Sequence, residues 1–303
     1  MLLNFELLRI VVALIGTAIL AYQDHKTSFI EEKIVYAMIA IGAILDLLTF
    51  DNQFILFSIG GVIAIGAIGY YAYRTGQFGL GDSLLFVALH TLLPFPAIEF
   101  AKYINATPLV QSTAYSQIAQ IVPFVLSIVI TASMLALVGS SIGYAHKLWK
   151  SKKLWQPNNL ILAISTTASV GFIFFWFKIK SAAVEFSILQ FVILAIIFAA
   201  VIFAVSTRRQ VMQEIIVKQL RVSEIEDEDI LALENLDKKL VEQYKLEKVL
   251  TKNQVEKLKV IQQKTGEKTF PVYKNLPRFV PYVLVSLVIH LLYLNAITLF
   301  IFL

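Results

Sequence analysis

The chain has 303 residues, no cysteine, 58% apolar residues and only 16% charged ones, against about 25% charged in an ordinary soluble domain. This excludes a disordered chain, a disulfide scaffold and a zinc site built on thiolates, and it argues against a soluble enzyme. The net charge of +5 lies mostly in loops and one polar segment, so it reads as membrane topology and not as a nucleic-acid surface.

A membrane helix needs about 20 mostly apolar residues. Eight segments meet that pattern: 2–22, 34–49, 54–73, 82–100, 118–139, 160–177, 186–206 and 280–303. The second and sixth are short. If 160–177 and 186–206 form one re-entrant hairpin, the count falls to six. The expected fold is all-α: a polytopic membrane helical bundle with a small cytosolic helical insert. Its parts are a bundle over 1–206, the insert over 207–277 and a final membrane helix over 278–303.

The first segment does not read as a cleaved signal peptide. It lacks a basic start, and no small-residue cleavage site follows it. Lysine and arginine gather on the cytoplasmic side of membrane proteins. With the N-terminus outside, that side receives Lys26, Lys33, Arg74, Lys147, Lys150, Lys152, Lys153 and the basic residues from Arg208 to Arg278. Arg9, Lys102, Lys178 and Lys180 fall elsewhere. In the third segment Gly60, Gly61, Gly66 and Gly69 suit close helix packing.

The polar segment 207–277 differs in kind. Ser223-Glu224-Ile225-Glu226 has the form of a capping box. Ile230, Leu233, Leu236, Leu240 and Tyr244 recur at helical spacing. Thr251 is placed to cap a second helix carrying Val255, Leu258 and Ile261. The acidic cluster Glu224 and 226–229 lies near the expected helix start, where the dipole favours negative charge. A surface for basic peptides is the other reading of that cluster.

Ionisable groups at the membrane are costly and point to function. Asp24 lies where the first segment ends, in Tyr22-Gln23-Asp24-His25-Lys26. Asp82 lies where the fourth begins, in Gly79-Leu80-Gly81-Asp82. With the N-terminus outside, both fall at the cytoplasmic boundary, at matched depth. Two carboxylates about 3 Å apart share a proton and titrate as a unit. One takes a proton from water while the other donates to a carbonyl, which is aspartic-protease chemistry. It requires no metal and no cofactor. Gly79 and Gly81 would permit unusual backbone conformations and close approach of a substrate chain. Taken singly, Asp82 also reads as a helix cap and Asp24 as an interfacial loop residue beside Lys26.

These residues also carry a family resemblance. The chain resembles the archaeal preflagellin and prepilin peptidases, membrane aspartyl proteases of the G-x-G-D type. The resemblance rests on Asp24 with the run from Gln23 to Ile34, on Gly79-Leu80-Gly81-Asp82, and on the proline-bounded entry Leu276-Pro277-Arg278-Phe279-Val280-Pro281. It covers roughly residues 1–100 and the final span. It implies that Asp24 and Asp82 are a catalytic pair, with Gly79 and Gly81 as backbone beside them. It also implies cleavage of short basic leaders from pilin- or archaellin-like precursors on the cytoplasmic side. The apolar pair 160–206 and the larger insert depart from the family pattern. With no cysteine, the zinc insert of bacterial prepilin peptidases is missing. Presenilin-type proteases need a Pro-Ala-Leu motif that this sequence lacks.

A leader with basic residues would sit with its charges at the cytoplasmic surface. Glu31 and Glu32 are candidates to attract them; a solvated loop paired with Lys33 is the plainer reading. His25 reads as water-facing and His90 as a buried histidine bonded to a neighbouring helix. Trp149, Trp155 and Trp176 suit an interfacial belt, and the lysines of 147–153 suit lipid headgroups. The expected partners are membrane lipids and basic-leader precursors, with no nucleic acid. Two other classes use the same residues. A proton- or cation-coupled transporter would use the aspartates as relay sites, with repeats and broken helices at midplane. A catalytically inactive scaffold of a pilus or archaellum machine would use the insert as its docking surface.

Overall fold

The computed structural model describes residues 2–75, 78–95, 124–150, 164–169, 171, 188–226, 229–274 and 277–293. The chain divides into two compact units. The first holds 1–73, 77–136 and 278–303; the second holds 74–76 and 137–277. Lys102, Lys152, Lys153, Trp155, Trp176, Lys178, Lys180 and most of 160–177 lie outside the described residues.

The first unit is helical. It contains α1 (Leu2–Thr27), α2 (Glu32–Leu47), α3 (Asn52–Arg74), α4 (Leu80–Leu92), the start of α5 (Phe124–Lys150) and α9 (Val280–Tyr293). α4 packs chiefly on α2, and α9 on α1; α1 also meets α2 and α4. α4 is buried nearly all round, from Ser83 to Leu92, as its unbroken apolar run requires. α3 is the opposite case: Leu56, Ile59, Ile63 and Ile68 are all exposed. An apolar face without protein cover suits lipid. Two of the four α3 glycines serve packing. A Cβ on Gly61 would run into the His90 ring, and one on Gly69 would come within 2.9 Å of the Ser83 Cβ, whereas Gly60 has open space around it.

Among the described residues, four helices are long and apolar enough to cross a bilayer: Phe5–Thr27, Asn52–Arg74, Phe124–Lys150 and Ala195–Ile216. Leu80–Leu92 and Val280–Leu292 are shorter apolar helices. The span expected over 34–49 is the 16-residue helix α2.

The second unit includes the rest of α5 and α6 (Ile188–Val211). The Ser141 hydroxyl donates to the Ala200 carbonyl at 3.3 Å, joining the two helices. A π-helical turn, Met212–Ile216, leads into β1 (Val217–Leu220). There follow β2 (Ile230–Leu231), α7 (Lys238–Tyr244), α8 (Lys252–Thr265) and β3 (Phe270–Tyr273). The strands form an antiparallel sheet of order β1-β3-β2, with Val217 opposite Tyr273 and Leu231 opposite Val272.

This sheet adds three short strands to an insert expected to be mostly helical. The apolar residues from Ile230 to Tyr244 do not form one helix. Ile230–Leu231 is a strand, Leu233–Asn235 a 3₁₀ turn, and α7 begins only after Asp237. The Ala232 N–H goes to the Pro271 carbonyl, which draws this stretch onto β3. Asp237 accepts the Lys239 N–H and starts a new helix. Thr251 does cap α8, accepting the Gln254 N–H at 3.5 Å, and Gly266, with φ +76°, closes it, as the left-handed C-terminal position favours.

The acidic cluster also differs from expectation. Glu224, not Glu226, makes the reciprocal contact to a cap N–H, accepting that of Arg221 at 3.0 Å. Asp229 and Glu226 pair with Lys274 at 2.9 and 3.2 Å. Burial opposes the Lys274 charge, but those two carboxylates outweigh it and hold the ammonium above its ordinary range.

Leu231, Leu250, Leu258, Ile261, Phe270 and Val272 form the core of this cluster. Leu258→Ala removes a fully buried side chain and is expected to cost about 2–5 kcal/mol. Val260→Ala, on the exposed side of α8, is expected to change stability by no more than about 0.5 kcal/mol. Protease protection of 212–274 during thermal unfolding of the full chain measures both.

Candidate functional site

Asp24 lies in the last turn of α1, and Asp82 in the first turn of α4. The two helices pack together, and their ends bring the Asp24 carboxylate near enough to act on the charge of Asp82. Asp24 is buried, at 7% exposure; Asp82 is half-buried.

Asp24 has a second role that the sequence did not suggest. Its Oδ2 accepts the Val280 N–H at 3.1 Å. Val280 is the first residue of α9, where unsatisfied N–H groups and the helix dipole favour a carboxylate. The Phe279 N–H and the Arg278 charge also lie close to it. Pro281, in the first turn of α9, has no N–H to satisfy.

The Asp82 carboxylate accepts the N–H of Gly79, the residue that caps α4. This is the reach of a third helical residue back to the cap; Asp82 is not itself the N-cap, a position that Gly79 holds. The glycines do not take the unusual backbone conformations that were expected of them. Gly79 is extended, with φ −68° and ψ 155°, and Gly81 is helical. Neither takes a left-handed conformation. Gly81 is needed for space instead: a Cβ there would lie 2.9 Å from the Ile30 Cβ. The missing side chain lets the start of α4 sit against the segment that follows α1. A Cβ at Gly79 would come within 3.3 Å of Asp82 Oδ2.

An aromatic cluster beside the aspartates escaped the sequence reading. Phe78, Phe86 and Phe279 meet edge to face, with ring centroids 5.5 to 6.0 Å apart. Phe78 precedes Gly79, Phe86 lies one turn beyond Asp82, and Phe279 precedes Val280. Their one sequence signal is adjacency to the aspartate motifs. Such rings lower the local polarity and hold the α3–α4 connection against the entry to α9.

Glu31 is exposed and clamped by Gln23. The Gln23 amide donates to Glu31 Oε2 at 3.2 Å, and the Glu31 N–H donates to Gln23 Oε1 at 3.2 Å. Glu32 accepts from the Tyr36 hydroxyl at 3.3 Å. His25 is exposed. His90 is fully buried and packs on Phe57, away from the aspartates. Among the described residues, no group of three or more His, Cys, Asp or Glu side chains is arranged to hold a metal ion.

Residues 11–140 match the type IV leader peptidase family. That region holds Asp24, Gly79, Gly81 and Asp82. A prepilin peptidase, EppA, of Methanothermobacter thermautotrophicus is 29% identical over 142 residues, which is 45% of this chain and 34% of the relative. The matched part thus spans about a third of that relative's length. No solved structure matches the chain.

The contact at Gly81 gives a test that needs no substrate. Gly81→Val forces the α4 start away from Ile30 and is expected to cost about 1–3 kcal/mol. Ile30→Ala in the same chain vacates the space and recovers part of the loss. Thermal unfolding in detergent reads both; an unchanged midpoint for Gly81→Val counts against the close approach.

Proposed function

We propose, on the premise that the chain belongs over residues 11–140 to the type IV leader peptidase family, that it is a membrane-embedded aspartic endopeptidase. It removes short basic leader peptides from pilin- or archaellin-like precursors at the cytoplasmic face of the membrane. The observation that carries this reading is the placement of two carboxylates, Asp24 in the last turn of α1 and Asp82 in the first turn of α4, on helices that pack together.

The chemistry follows from one shared proton. The carboxylic acid of the pair donates a hydrogen bond to the scissile carbonyl. The carboxylate removes a proton from a water molecule, whose oxygen attacks the carbonyl carbon. In the tetrahedral intermediate the carbonyl oxygen has become a hydroxyl. A proton then passes from the pair to the leaving nitrogen, the C–N bond breaks as one hydroxyl of the intermediate returns its proton to the pair, and the carboxylic acid and amine products separate, leaving the pair with the single proton it began with. Asp24 has one oxygen engaged by the Val280 N–H, which leaves the other for water and for Asp82. Phe78, Phe86 and Phe279 support the reading, because a less polar surrounding strengthens each charged interaction at the site.

The leader would be met by Glu31, held by Gln23, and by Glu32. Gln23 adjoins Asp24, so this acidic edge starts where the candidate dyad stands.

Asp24→Asn and Asp82→Asn keep size and polarity but cannot share the proton. In Asp24→Asn the side-chain amide oxygen still accepts the Val280 N–H, so the α9 contact survives. Each change is expected to slow cleavage of a basic-leader precursor in membranes on the order of 10²–10⁴-fold, with insertion unchanged. Equal cleavage by all three chains overturns the dyad.

Glu31→Lys combined with Glu32→Lys is expected to raise KM for the same precursor more than it lowers kcat. An unchanged KM removes these residues from leader recognition.

A further inference from the structure

At the other end of the first unit, four helices share a buried polar knot. Arg9 stands on α1, roughly 22 Å of helical rise from Asp24. Its Nη1 donates to Asp46 Oδ1 on α2 at 2.6 Å. The same nitrogen reaches the carbonyls of Thr91 and Leu92 at 3.1 and 3.4 Å, where α4 ends. The other Asp46 oxygen accepts the hydroxyl of Ser58 from α3. Arg9 and Asp46 are each 6% exposed and Ser58 2%. The guanidinium also lies over the Phe54 ring, 5.5 Å from its centroid.

We infer that this Arg9–Asp46 knot is a positioning device. It sets the axial register of α1 against α3 and α4, and so aligns Asp24 with Asp82 at the opposite ends of the same helices. The catalytic consequence rests on the peptidase reading; the register does not. Apolar helices in lipid gain little from one sliding position over another, because lipid tails are as apolar as leucine. Neighbouring offsets of about 5.4 Å, one turn, bury similar faces. A buried ion pair has no such freedom. A one-turn slip would leave a guanidinium and a carboxylate unpaired in a low-dielectric interior, which is far costlier than a change of apolar partner. The knot is tied to fixed points as well as to a side chain. Thr91 and Leu92 carry the orphan carbonyls at the α4 C-terminus, and these exist at one place on that helix. Both α1 and α4 run unbroken from the knot to their aspartates, so register set at one end is delivered at the other. The close approaches of Gly61 to His90 and Gly69 to Ser83 keep α3 moving with α4.

The test separates register from general stability. Removing one partner leaves a buried charge, and the chain then fails to insert or fold for a trivial reason. Arg9→Met with Asp46→Leu removes both charges, and such apolar replacements are often neutral for stability. In this double variant, kcat for a basic-leader precursor is expected to fall by at least about 10²-fold, since a misplacement of only about 1 Å already produces that. KM is expected to stay unchanged. Arg9→Lys with Asp46 retained recovers part of the rate. Because the chain has no cysteine, nitroxide labels at Lys26→Cys and Tyr70→Cys, on exposed ends of α1 and α3, report the register directly. Their distance distribution is expected to broaden toward a population displaced by about 5 Å in the double variant. A double variant with wild-type kcat and a wild-type distance distribution overturns the inference. If the unaltered chain cleaves no precursor, the peptidase reading falls, and the label distances alone decide the register: an unchanged distribution sinks it.

Discussion

A carboxylate buried at the end of one helix must find donors, and Asp24 finds them at the start of another. The Val280 N–H it accepts lies 256 positions along the chain. That hydrogen bond seats α9 on α1, one of the two main helix pairings of the first unit. It also orients the carboxylate. A group free to turn would present either oxygen to a neighbour; one oxygen held by a backbone amide fixes where the other points. The structural role and the proposed catalytic role of Asp24 are therefore not rivals. The helix N-terminus that needs an acceptor supplies the constraint that a dyad needs.

The rest of the unit follows the same economy of polar groups. At the aspartate end, glycine and aromatic residues do the fitting: Gly81 admits Ile30, and Phe78, Phe86 and Phe279 interlock. At the far end, Arg9 engages a side chain and two orphan carbonyls at once. Between the ends the contacts are mostly apolar, with Leu20, Leu85, Leu89 and Leu92 among the fully buried residues; the Ser286 hydroxyl, donating to the Ile128 carbonyl at 2.8 Å, is a polar contact between α9 and α5. Apolar contacts in lipid hold helices together without specifying an offset. Specific polar contacts at both ends add to what the mostly apolar middle specifies.

What the sequence made legible was what depends on local pattern. The helices α1 and α3 follow from apolar runs, and the Thr251 cap follows from one threonine before a periodic stretch. The aspartates stood out because charge at a membrane boundary is expensive. The misreadings share a cause. The apolar positions from Ile230 to Tyr244 fit a helical period, yet the Ala232 N–H is claimed by Pro271, a partner invisible to any local window. By sequence Arg9 is only a basic residue on the wrong side of the membrane pattern, because its partners lie on three other helices. The glycines of the G-x-G-D run are a further case. Their residue type suggests backbone freedom, whereas the need at Gly81 is for space beside Ile30.

The fate of the acidic residues extends that argument to recognition. By sequence the densest negative run is 224–229, and it is the natural place to look for a partner of basic charge. Much of it is already engaged: Glu224 takes the Arg221 N–H, and Asp229 and Glu226 take Lys274. A carboxylate satisfied by its own unit has less to offer a ligand, since the ligand must first displace an internal partner. Glu31 differs. Its partner, Gln23, is neutral, so the clamp orients the charge without cancelling it. It is also exposed, and its clamp adjoins Asp24. On electrostatic grounds the shorter acidic pair, and not the longer run, is the better counterpart for the basic leader of the proposed function.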